Sequence, residues 1–200
     1  MGNLSARPQW SQPYRIRTTS GNKPTFLFDN NGNDSVVTLT SASNNASYTA
    51  GLVLGADNNA MNVGLANNLV VNNDGTRLPS GKLTFGTRST ITGGSLENRV
   101  TITTQALGTG KITTAVEGTA TFIGDWVVDG ANALLDMNAD SFGHESNSVT
   151  LRNGGTLDIT AGAFDSSGFS WNRTLSGNGT VLVHANGLVI DSGTINLSGD

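Results

Sequence analysis

Charge is scarce in this 200-residue chain: Asp, Glu, Lys and Arg make up 13% of it, about half the usual share. The Lys and Arg residues form no run and the net charge is −4, so the electrostatic footprint of a nucleic-acid binder is missing. There is no cysteine, which removes disulfides. Beside abundant Asn, Ser, Thr and Gly, that suits a bacterial exported protein that dispenses with them. No apolar stretch approaches the ~20 residues a membrane-spanning helix needs. Met1-Gly-Asn-Leu-Ser lacks the basic and apolar regions of a signal peptide, so export is expected to rely on a leader outside this sequence. A sustained i, i+3, i+4, i+7 apolar pattern is missing too, which predicts almost no helix. No Gly-x-Ser-x-Gly elbow, phosphate loop, Ser/His/Asp grouping or zinc-ligand spacing is present, and no cofactor is expected.

What remains is a chain of short strands and tight turns. Gly reaches 26 residues, supplying positive φ at turns, while Thr and Val fill strands. Many segments alternate apolar and polar residues: Leu83/Phe85, Val100/Ile102, Val149/Leu151, Leu157/Ile159 and Ile195/Leu197. That pattern gives one buried and one wet face. Residues 1–25 differ. Pro8, Pro13 and Pro24 fall there with Trp10 and Tyr14, which reads as an extended arm or cap over the first open strand edge of a domain spanning 26–200. Trp10 and Tyr14 are its capping or assembly candidates.

A unit recurs: Gly81-Lys-Leu-Thr-Phe, Gly110-Lys-Ile-Thr-Thr, Gly155-Thr-Leu-Asp-Ile, Gly193-Thr-Ile-Asn-Leu, with Gly179-Thr-Val-Leu-Val close to it. Gly130, Gly155 and Gly179 stand 25 and 24 residues apart. A period in the twenties built from short strands is what one coil of a β-solenoid needs. At roughly 22 residues per coil, about eight coils are expected, stacked on a shared core. The alternative is a β-sandwich or jelly roll, which also places strands at intervals of about 8–12 residues.

Few side chains suggest chemistry. Asp136 and Asp158 each lie between inward-facing apolar neighbours, so both should point outward, 22 residues or about one coil apart. Stacked, their carboxylates would approach the roughly 5 Å separation of a retaining glycosidase; the bland reading is two solvated carboxylates. His144 and His184 read as structural or solvated. The loop from Asp29 to Asp34 has oxygen ligands at alternate positions, but Gly32 and Thr40 depart from the EF-hand pattern, so it reads as a turn and no metal is expected. Trp126 reads as core or cap.

The run Trp171-Asn-Arg-Thr-Leu-Ser-Gly-Asn-Gly-Thr-Val-Leu-Val, followed by Ser192-Gly-Thr-Ile-Asn-Leu-Ser-Gly-Asp200, resembles the autotransporter-associated β-strand repeats of large bacterial surface proteins. Pro24-Thr-Phe-Leu-Phe-Asp-Asn to Leu52-Val-Leu-Gly is similar to the opening coils of such passenger domains. The resemblance implies a right-handed parallel β-helix, secreted or held at the cell surface, with a structural or adhesive role. It carries over no catalytic residue. Expected partners are surface glycans or proteins, or another copy of the chain stacked end to end through Ile195 and Leu197 into a filament. A carbohydrate-active enzyme using Asp136 and Asp158 is the remaining reading.

Overall fold

The computed structural model describes residues 15–17, 23–39, 49–55, 60–73, 80–138, 141–160, 169–184, 188–190 and 193–198. No α-helix occurs among them. The chain is all-β, and nearly every strand pairs in parallel with a strand further along the chain rather than with its neighbour in sequence. That pairing fits a β-solenoid coarsely and departs from a sandwich, whose sheets are antiparallel.

The strands fall into three series. The first holds β3 (Ser35–Leu39), β6 (Leu69–Asn73), β9 (Val100–Gln105), β12 (Gly124–Asp129) and the first half of β14 (Ser148–Thr160). It continues through the first half of β16 (Thr174–Val183) to β18 (Thr194–Leu197). The second holds β4 (Thr49–Leu54), β7 (Ser80–Phe85), β10 (Lys111–Val116), β13 (Ala133–Asn138) and the second halves of β14 and β16. The third holds β2 (Thr25–Phe28), β5 (Met61–Leu65), β8 (Ser89–Gly93) and β11 (Thr119–Ala120). A separate pair follows in the same order, β15 (Phe169–Trp171) with β17 (Leu188–Ile190). At the start, β1 (Arg15–Arg17) lies antiparallel against β2. Trp10 and Tyr14 lie outside the described residues.

The first series contains seven described strands, and its repeat is uneven. Asp34 and Asn68, adjacent through a hydrogen bond, are 34 residues apart, whereas Asp125 and Ser148 are 23 apart. The expected coil of roughly 22 residues therefore fits the later turns, while the early turns among the described residues are about ten residues longer. The early turns carry longer connections. The proposed Gly130–Gly155 step also needs correcting. Gly179 is the register partner of Gly155, but Leu134 pairs with Thr156, so the residue beside Gly155 is Ala133 and not Gly130.

Side-chain alternation builds the interior. In the first series Leu69, Ile102, Trp126, Val149 and Leu175 form one register column, all fully or almost fully buried. In the second, Leu83, Thr114, Leu135 and Leu157 form another. Each large aliphatic residue so buried contributes about 1.5–3 kcal/mol. Two inward threonines are matched to each other: the Thr104 hydroxyl donates to Thr114 Oγ1 across the core at 2.7 Å. Without that bond each hydroxyl would be a buried orphan.

Residues 141–147 take the place of a third-series strand above β11. Ser141 Oγ donates to the Gly118 carbonyl and the His144 N–H to that of Phe122. Asn147, buried, accepts from the Gly124 N–H at 2.8 Å and donates to the Phe122 and Phe142 carbonyls. Trp126 Nε1 donates to the Phe142 carbonyl, and Trp126 meets Phe122 edge-on with ring centroids 5.0 Å apart. Trp126 is thus a core residue. The loop from Asp29 to Asp34 is a tight turn: Asn31 and Gly32 both have positive φ and the Asn33 N–H donates to the Asn30 carbonyl, the signature of a two-residue hairpin turn.

Two variants test this packing. Trp126→Ala should lower stability by about 3–5 kcal/mol through the cavity it leaves. Asn147→Ala should cost about 1–3 kcal/mol, because it removes the acceptor of a buried N–H. Urea denaturation measures both, and a change in either below 0.5 kcal/mol would contradict the packing described.

Candidate functional site

Period-two alternation decides where the two candidate aspartates point. Leu135, Met137, Leu157 and Ile159 are fully buried, so Asp136 and Asp158 between them face outward. β13 and β14 are parallel, and Asp136 is the register partner of Asp158. Their backbones are therefore one strand spacing apart, about 4.8 Å.

The two carboxylates have different company. Asp136 Oδ1 accepts from the Thr160 hydroxyl at 2.7 Å, and Lys82 Nζ lies 4.0 Å from Oδ2. Asp158 Oδ1 lies 2.9 Å from His184 Nε2. The contact is an ion pair when the imidazole carries a proton. Asp158 is the more enclosed of the two, and burial pushes its carboxyl above the usual aspartate value. The charge of Asp136 pushes the same way, while His184 pulls it back. A carboxyl that keeps its proton longer, beside one supplied with a cation and a hydroxyl, has the asymmetry that acid–base chemistry uses.

A groove lies elsewhere, on the outer side of the first series. It has a volume of about 360 Å³ and crosses β6, β9, β12 and β14. Its floor is one register column: Val70, Thr103, Val127, Thr150. Beside this runs a polar wall of Asp34, Asn68, Thr101, Asp125 and Ser148. Asn68 ties the wall together, donating from Nδ2 to Asp34 and accepting at Oδ1 from the Thr101 N–H, at 2.9 and 2.8 Å. Asp125 accepts from Arg99 Nη2 at 2.7 Å and from the Ser148 hydroxyl at 2.7 Å. Burial alone would raise the Asp125 carboxyl, but the bonds from Arg99 and Ser148 and the charge of Arg99 outweigh it and hold the group below its ordinary value. Arg99 also donates to the Gly124 and Ser146 carbonyls and to the Ser146 hydroxyl.

The other candidates are dispersed. His144 is bonded locally, its Nδ1 2.8 Å from Ser146 Oγ. Ile195 and Leu197 lie on β18, paired with Leu175 and Gly177; Ile195 is half-buried against the core and Leu197 is exposed. Sequence reasoning left His184 out of the Asp158 cluster and did not single out the groove. The available signal for the groove was the recurrence of Thr, Ser, Asp and Asn at outward positions one turn apart.

The carboxylate cluster makes a signed prediction. Because the folded Asp158 carboxyl titrates above its unfolded value, its contribution to stability is full below about pH 3.9 and fades as pH rises through the raised value. Asp136→Asn should move the Asp158 midpoint down and His184→Gln should move it up. Carboxyl chemical shifts across pH 2–8 read both; shifts in the reverse directions would rule out the described coupling.

No protein-family model, curated protein or solved structure matches the chain.

Proposed function

We propose that the chain is a right-handed parallel β-helix from a secreted or surface-held bacterial protein, similar to autotransporter passengers, with a structural and adhesive rather than catalytic role. The observation that carries this reading is the outer side of the first series, where polar side chains stand in register on a backbone fixed by a packed core. Such a surface presents groups to a partner without reorganising, which lowers the cost of binding. The low charge and absence of cysteine fit exposure outside the cell.

Two other readings rest on specific residues. End-to-end assembly draws on Ile195, Val181 and Val183, which continue the inward columns but are only partly covered within this chain. Leu197 and Leu182 are exposed beside them. A polysaccharide hydrolase draws on Asp136 and Asp158.

The test is adhesion measured together with turnover. Beads coated with the purified chain should adhere to bacterial or animal cell surfaces, with no release of reducing sugar from acidic or neutral polysaccharides. Sugar release abolished by Asp158→Asn would replace this reading with the enzymatic one. Filaments in electron micrographs of the soluble chain, in place of separate short rods, would replace it with assembly. Beads that fail to adhere would sink the adhesive role.

A further inference from the structure

We infer that the groove on the outer side of the first series is a binding site for an extended, neutral polysaccharide lying across the strands, one sugar residue per strand. The inference rests on the adhesive reading and names the ligand class.

The direction of the groove sets the ligand's shape. Its lining comes from residues on or beside successive parallel strands, so it runs along the stacking direction with a repeat of about 4.8 Å. A pyranose ring is about one such step long. A chain of them meets the same kind of residue at each step.

The cross-section sets the chemistry. The floor alternates valine and threonine: Val70, Thr103, Val127, Thr150. All four are β-branched and stiff, so the floor presents methyl groups, with a threonine hydroxyl at every second position, in fixed places. The adjoining wall offers carboxylate and hydroxyl groups from Thr101, Asp125 and Ser148. A sugar ring has the matching division, with C–H groups on its faces and hydroxyls at its edges. Asp125 is already oriented by Arg99 and Ser148, so its oxygens are held in place before any ligand arrives.

Charge and backbone geometry narrow the choice. Asp34 and Asp125 on one wall disfavour phosphate- or carboxylate-bearing polymers, in a chain of net charge −4. Arg152 is one cation in a lining that also holds Asp34 and Asp125, and Arg99 is paired to Asp125, so the lining carries no excess of positive charge to draw in a polyanion. An extended peptide gains its affinity by adding to a free strand edge. The backbones of β6, β9 and β12 are already paired on both sides, so none is offered here.

Native affinity electrophoresis tests the site, using gels that contain a linear neutral glucan, mannan or galactan, or polygalacturonate as the acidic arm. At least one neutral polymer should retard the chain. Thr103→Glu with Thr150→Glu should weaken that binding at least tenfold, and Val70→Glu should do so independently. Thr156→Glu, on β14 but in the second series, should leave it unchanged. All these positions face outward, and unchanged melting temperatures verify the fold of each variant. Retardation by the acidic polymer alone, or by no polymer, or to the same extent in the groove variants, would overturn the site. Beads that still adhere to cells in that case would leave the adhesive reading standing, so the two failures are distinguishable.

Discussion

The structure depends on one constraint: each strand must lie in register on the equivalent strand of the turn before. In a parallel ladder the side-chain period is two, so a slip of one residue would turn an entire inward column to solvent. Leu69, Ile102, Trp126, Val149 and Leu175 would leave the core together. The penalty grows with every turn added, which makes register a collective property of the stack. The Thr104–Thr114 hydroxyl pair adds a point of polar specificity inside it, since each hydroxyl finds its partner only when β9 and β10 are correctly placed within their turn.

Where the ladder fails, side chains replace it. Above β11 the chain runs as residues 141–147 without a strand, yet the carbonyls of Gly118, Phe122 and Phe142 all find donors, from Ser141, His144, Asn147 and Trp126. A buried loop is costly when its backbone groups are left unpaired. Here Asn147 serves three of them and is itself enclosed. Phe142 then extends the aromatic packing toward Trp171, their ring centroids 5.3 Å apart, so the interruption is sealed by rings as well as bonds.

The first and second series were legible in the sequence because their strands alternate cleanly. Val100/Ile102, Val149/Leu151 and Leu157/Ile159 are buried as the pattern requires. The third series was legible only in part: Thr25–Phe28 reads as a strand, but Met61–Leu65 was missed although Met61, Val63 and Leu65 alternate with Asn62 and Gly64, and Ser89–Gly93 offers Ile91 as its one large apolar residue. Both gain their order from the strands beside them. The 22-residue spacing of Asp136 and Asp158 was readable as one turn, and they are register partners. His184 was not readable as their neighbour. Its position depends on β16 continuing past a register shift opposite Leu151–Gly155, which alternation alone does not reveal. The groove was invisible for a related reason: it is a product of columns, and a column exists only once every turn length is known.

Arg99 carries one consequence of a different kind. From the start of β9 its guanidinium reaches Asp125 and the Gly124 carbonyl on the next turn, then Ser146 on the turn after, 47 residues away. A stacked ladder pulled from one end would otherwise peel one strand at a time, each step opposed only by its own row of bonds. A side chain fastened across three turns makes them yield together. Under tension, Arg99 opposes the parting of these three turns at once, as Asn68 does for the turns that carry Asp34 and Thr101.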